Sequence, residues 1–213
     1  MATPIRQITH DKLHPTLVAL SDAGATIEDA DWIRKPGNAA LLVRFIRDSR
    51  AEVERSIGST ITIPVSYQLP FHEELHGTVF DWASSLFSNT YTWEEHESVR
   101  GLVDRTPGDR DFLVKHFTEE EIREMDGLTS EHVIAWADKN GYRASVLEET
   151  VDFAKAQPDL QRQFPIVALG SFAVYRASRV VAILRGNDAR RGLDDGWFDY
   201  RWDADSHFLL VRK

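Results

Sequence analysis

The clearest alternation of apolar and polar positions runs from Ile57 to Tyr67, where Ile61, Ile63 and Val65 alternate with Thr60, Thr62 and Pro64. A period of two sends successive side chains to opposite faces, so this stretch predicts a strand with one buried face. Pro64 has no N–H to give to a ladder, which puts the strand at an edge or on a bulge. Asp111 to Phe117 predicts a second strand, with Phe112, Val114 and His116 on one side, entered through a turn at Thr106-Pro107-Gly108-Asp109. Phe164 to Leu169, Ser178 to Leu184 and Phe208 to Val211 are apolar runs of strand length, and predict strands of one small sheet. Gly186-Asn187-Asp188 marks a turn. Between the last two runs, Gly192 to His207 is polar and aromatic with little alternation, and reads as a long exposed loop or a frayed ribbon.

Helical spacing appears elsewhere. Leu13, Leu17 and Leu20, then Leu41, Leu42, Phe45 and Ile46, predict a small helical unit over residues 1–50, with Thr26 capping the helix between them. Thr118-Glu119-Glu120-Glu121 is a capping box for a short helix ending at Asp126-Gly127. A helix from Thr129 to Asn140 presents Val133, Ile134, Trp136 and Ala137 on one face and stops at Gly141. Ser145-Val146-Leu147-Glu148 predicts a further capping box, opening a helix to Ala156 before Pro158. The fold class is therefore α+β: a helical N-terminal unit followed by a mixed or antiparallel sheet with flanking helices. The segments are 1–50, 57–128 and 129–213, and the strands of the second can complete the sheet of the third.

Composition narrows the function classes. The chain has 213 residues and a formal charge of −9. An acidic surface repels phosphate backbones and anionic bilayers, so neither nucleic acid nor membrane is an expected partner. There is no cysteine, which excludes disulfides and thiolate metal sites. The first residues hold no apolar leader, and no apolar run approaches the roughly 20 residues of a membrane span, so the expected compartment is the cytoplasm. No cofactor is expected, because no Walker, dinucleotide or nucleophile-elbow pattern occurs.

One motif carries chemistry. His72-Glu73-Glu74-Leu75-His76 has the HExxH spacing, in which two histidines on one helix face share a zinc ion and Glu73 activates a bound water. Pro70 and Gly77 confine that helix to about two turns. A zinc hydrolase on His72, Glu73 and His76 is thus the alternative to a non-enzymatic binding protein. A second alternative is a scaffold whose N-terminal helices bind a partner. Asp203-Ala204-Asp205-Ser206-His207 begins like a calcium loop but lacks its central Gly and late Glu.

The binding reading rests on 192–207, where aromatic side chains are flanked by short polar ones as they are on binding surfaces. Its candidate ligand contacts are Asp194, Asp195, Trp197, Asp199, Tyr200, Trp202, Asp203, Asp205 and His207, and the partner is a protein or a small molecule. Arg190, Arg191 and Arg201 are expected to pair with the aspartates and stiffen the loop.

Asn140-Gly141-Tyr142-Arg143, the helix that follows, and the ending Phe208-Leu209-Leu210-Val211-Arg212-Lys213 resemble the C-type-lectin fold of formylglycine-generating-enzyme-like domains. Ser145 and Val146 stand where that family tends to have Pro and Thr. With Gln161 to Ser171, the same pieces resemble an uncharacterised bacterial family. The resemblance implies a C-type-lectin-like module over 129–213. It also implies a relation to the variable proteins of diversity-generating retroelements, which present mutable side chains just before the final strand. Asp194, Asp195, Asp199, Tyr200, Asp203, Ala204, Asp205, Ser206 and His207 are residue types that adenine mutation of an Asn codon can reach. The catalytic cysteines of the formylglycine-generating enzymes are absent, so that oxidase activity is not implied.

Overall fold

The computed structural model describes residues 58–68, 75, 79–88 and 91–213, together with Thr26, Asp29, Asp31, Trp32, Lys35 and Asn38. The chain divides into two compact units, Met1–Glu52 and Val53–Lys213. In the first, the Thr26 N–H and hydroxyl donate to the Asp29 carboxylate at 2.7 and 2.8 Å, and the Asp29 N–H donates back to Thr26 Oγ1 at 3.3 Å. This is the reciprocal bonding of a capped helix start, at the predicted threonine. The leucine-rich stripes of 1–50 lie outside the described residues.

The second unit is a mixed α+β structure. Its strands are β1 (Thr60–Val65), β2 (Trp82–Ala83), β3 (Trp93–Glu95), β4 (Gly108–His116), β5 (Tyr142–Ala144), β6 (Ile166–Tyr175), β7 (Ser178–Gly186), β8 (Arg191–Trp197) and β9 (His207–Arg212). Its helices described over their full length are α1 (Glu119–Glu124), α2 (Ser130–Lys139), α3 (Leu147–Ala156) and α4 (Leu160–Gln163). All nine strands join one sheet in the order β1-β4-β9-β6-β7-β8-β2, with β3 beside β6 and β5 beside β9. The β6–β9 and β2–β8 pairs are parallel and the others antiparallel. Strands from 57–128 and from 129–213 therefore share one sheet. Among the described residues no helix is long and apolar enough to cross a membrane.

Alternation decides which face each side chain meets. In β1, Ile63 and Val65 are buried while Thr62 and Pro64 are exposed. The strand ends the sheet, where a proline is tolerated. In β4 the continuous run Phe112-Leu113-Val114 serves both faces: Phe112 and Val114 join one core cluster, Leu113 the other. Strand β9 splits likewise, Leu209 and Val211 to the first cluster, Phe208 and Leu210 to the second. Helix α3 covers the first face with Val151, Phe153 and Ala154; helix α2 covers the second with Val133 and Ala137.

The start of α3 is displaced by one residue from its expected capping box. The Val146 N–H donates to Glu149 Oε2 at 3.0 Å, so Glu149 is the capping acid. Glu148 instead receives the Arg105 guanidinium at 3.2 Å. Glu149 is fully buried and also accepts from Arg143 at 2.8 and 2.6 Å and from the Tyr67 hydroxyl at 2.7 Å. Such a pair is tolerated inside a protein because every charged oxygen is hydrogen-bonded.

Gly170 joins three segments. Its N–H donates to Ser145 O at 2.9 Å, and its carbonyl accepts the His96 N–H at 2.9 Å. A Cβ at this position would lie 2.5 Å from Ser145 O, so only glycine allows the approach. Here β6 bulges between Ala168 and Phe172, leaving β9 and taking β3 as its neighbour.

Residues 192–207, expected to be an exposed loop or a frayed ribbon, are a loop only in their second half, 198–206. Residues up to Trp197 form β8, paired along its length with β7, and Leu193 and Phe198 are fully buried. The two glycines that looked like loop residues are places where side chains press on the strand. A Cβ on Gly192 would fall 1.9 Å from the Trp82 indole, and one on Gly196 2.5 Å from Ile183 Cδ1.

Candidate binding surface

The β6–β7 hairpin turns at Arg176 and Ala177, whose φ angles of 48° and 62° give the left-handed pair that matches strand twist. This two-residue turn places Tyr175 at the hairpin tip. Across the sheet Trp197, opposite Val180, ends β8. The chain then bends so that the Tyr200 N–H donates to Trp197 O at 3.4 Å. The Tyr175 and Trp197 rings lie near-parallel at 6.2 Å, Tyr200 tilts against Trp197 at 6.2 Å, and Tyr91 meets Tyr175 edge-on at 6.0 Å. Four rings thus form one continuous arc. Its floor is Leu86, Ala173 and Val180, all buried. Trp93 beneath it stacks on Phe87 at 4.6 Å and donates its indole N–H to Leu86 O at 3.0 Å.

The rings are partly covered at their bases and open outward, with Tyr200 66% exposed. Charged groups frame them. The Arg176 guanidinium lies 5.1 Å from the centre of the Tyr175 ring, a distance at which a cation is attracted to the ring face. Arg179 pairs with Asp199, and Ser84 donates to Asp195. The arrangement supplies flat apolar contact area with hydrogen-bonding edges at little cost in side-chain freedom.

The predicted contacts separate. Trp197 and Tyr200 belong to the arc, Asp195 bonds the Ser84 hydroxyl, and Asp199 stands beside Tyr200, paired with Arg179. Asp194 points to the opposite face with Ile183. Burial raises its carboxyl above the usual range, against the Asp195 N–H and Arg185, 3.7 Å away. Trp202 is also on that face. Its indole N–H donates to Ser130 Oγ at 3.0 Å and its ring meets Phe208 edge-on at 6.0 Å, so it closes the core. Asp203 and Asp205 are exposed, whereas His207 is buried between Phe164, at 3.8 Å, and His116, at 4.6 Å. Burial lowers the His207 pKa to about 4.

The expected arginine braces are replaced by others. Arg191 donates to Ala154 O at 3.1 Å and Val79 O at 2.7 Å rather than to the aspartates, which take Arg185 and Arg179 instead. Tyr91 and Tyr175 were not among the expected contacts. Phe172-Ala173-Val174-Tyr175, beyond the run expected to end at Leu169, leaves a two-residue gap before Ser178, and that spacing is the signal of a hairpin tip that would have found Tyr175. His72, Glu73 and His76 lie outside the described residues, and Leu75 between them is buried in the first core cluster. Among the described residues no three His, Asp or Glu side chains are grouped as a metal site.

The chain matches no protein-family model, and no curated protein or solved structure is significantly similar to it.

Proposed function

We propose that this protein is a non-enzymatic binding protein that engages a partner protein through the arc of Tyr91, Tyr175, Trp197 and Tyr200. The observation that carries this reading is the continuity of the arc: four rings in contact around a buried floor, Tyr175 and Trp197 at strand ends and Tyr91 and Tyr200 in the bends beside β3 and β8. Tyrosine and tryptophan with an arginine rim are the residue types enriched where proteins bind one another. In its finer form, the module is C-type-lectin-like and its C-terminal codons are diversified. That form is supported by the meeting of the two segments that carry the resemblance, since Tyr142–Ala144 pairs directly with the final strand.

The test is site-specific photo-crosslinking in the producing cell with a photoreactive group at position 200. A single saturable adduct is expected, competed by added wild-type protein and not by a Tyr175→Ala, Trp197→Ser double variant of unchanged circular dichroism. Adduct formation that the double variant competes as well as wild type does would refute the reading.

A further inference from the structure

A cleft of about 560 Å³ opens on the α2 side of the sheet, between α2, β5 and the turn at residues 96–98. It lies on the face opposite the aromatic arc. Ile134, Tyr142 and Ala144 line it as an apolar wall, with Glu97, Glu131 and Asp138 around it.

His96 sits in that wall, 8% exposed, its ring flat on Phe198 at 5.0 Å and edge-on to Phe172 at 6.4 Å. Its Nδ1 accepts the Ser98 N–H at 3.2 Å and lies 2.9 Å from the Ser98 hydroxyl. A ring nitrogen that accepts a backbone N–H carries no proton, so the proton of the neutral imidazole is on Nε2. Burial, then the charge of Arg179, keeps the ring below its ordinary pKa and so favours that neutral form. Nε2–H has no hydrogen-bond partner among the described residues, and it is not sealed from solvent. A buried, oriented donor is thus left open to a cleft.

The charges facing the cleft are unequal. Lys213 is bonded to Asp138, and Arg143 is matched by Glu149. Arg179 lies 3.9 Å from Glu131 but is bonded to Asp199. Glu97 and Glu131 remain as negative charge beside an apolar wall, and Arg100 is the further cation acting on His96.

We propose that this cleft is a binding site for a small organic amine. The apolar body of the ligand lies along Ile134 and Tyr142, its ammonium faces Glu131 and Glu97, and an oxygen at its other end accepts the Nε2–H of His96. Carboxylate ligands are disfavoured by the same two glutamates, and purely apolar ones leave the imidazole N–H unpaired. This site does not depend on the aromatic arc.

The test uses three probes of one shape: tyramine, its neutral alcohol analogue tyrosol, and 4-hydroxyphenylacetate. Each is titrated into the full chain at low salt while the His96 ring signals are followed by NMR. Tyramine is expected to shift them saturably and to bind about fivefold more tightly than tyrosol, the scale of one exposed ion pair. The Glu131→Gln variant changes a side chain that is 63% exposed, so it leaves folding intact and should remove most of that preference. A titration in which His96 does not respond to tyramine, or in which 4-hydroxyphenylacetate binds as tightly, would overturn the proposal. So would a Glu131→Gln variant that keeps the full preference.

Discussion

Tyr200 and Trp202 stand two residues apart in the same polar stretch and should respond to truncation in opposite ways. Tyr200 is 66% exposed and rests on the Trp197 ring. Its replacement by alanine should change stability by less than about 0.5 kcal/mol, as for surface sites in general. Trp202 covers Phe208 edge-on at 6.0 Å, abuts Gly196, donates its indole N–H to Ser130 Oγ and anchors its backbone N–H on Leu128 O at 2.8 Å. Truncating a core Trp to Ala costs about 3–5 kcal/mol; because Trp202 is only partly buried, the lower end, ~3 kcal/mol, is expected. For a chain of this size that lowers Tm by roughly 6–12 °C. Trp202→Phe keeps most of the contact and loses the N–H bond. Ser130 Oγ still donates to Phe198 O at 2.6 Å, so no buried group is orphaned and the hydrogen-bond loss is about 1 kcal/mol. Urea unfolding followed by far-UV circular dichroism measures all three variants without relying on the fluorescence of the deleted indole. Equal losses for Tyr200→Ala and Trp202→Ala, or a Trp202→Ala loss under about 1 kcal/mol, would refute the division of this stretch between a working surface and the core.

Glu149→Ala leaves the Arg143 guanidinium buried without its partner, and should cost about 3–5 kcal/mol in the same urea assay; a loss below about 1 kcal/mol would show that the pair is dispensable. His207 gives a pH signature. Its pKa is lowered to about 4 in the folded chain, whereas an unfolded histidine titrates near 6.5, so the unfolded state takes up the proton first as pH falls. The contribution of this group is therefore complete above about pH 6.5, declines down to about pH 4, and levels off below, for a total of about 3 kcal/mol. His207→Phe, which can keep the ring stack, should flatten that part of the acid stability curve; an unchanged slope between pH 6.5 and 4 would contradict a neutral, buried imidazole.

What the sequence made legible, and what it hid, follows from how many partners each element needs. Strand β1 was readable because one face meets water, so Ile63 and Val65 alternate with polar neighbours. Helices α1 and α2 were readable because Thr118, Glu121 and Thr129 bond within their own first turn. Strand β8 was hidden because its polar residues are answered from distant parts of the chain: Asp195 by Ser84, Asp194 by Arg185, and Gly192 by the ring of Trp82. Two adjacent aspartates and two glycines read as a loop when only near neighbours are considered. They form a strand because Leu193 and Phe198 are anchored in the core on either side. The one-residue slip at α3 has the same origin. Glu148 and Glu149 are equivalent in local spacing, and the buried Arg143, six residues before Glu149, selects between them.

The same reasoning explains why half of the candidate surface was visible in advance. Trp197 and Tyr200 stand out among polar neighbours, whereas Tyr91 and Tyr175 lie outside the expected strands, Tyr175 continuing one of them, until the hairpin and the β3–β6 pairing bring them beside Trp197. An aromatic that continues a strand and an aromatic that serves a surface have the same local pattern. What separates them here is position: Tyr175 occupies the last rung of its hairpin, beyond Val180 and Ala173, where the sheet stops covering its own face. The surface is therefore a product of where the sheet ends. The short two-residue turn at Arg176 and Ala177 fixes that end, so it is as much a part of the surface as the rings themselves.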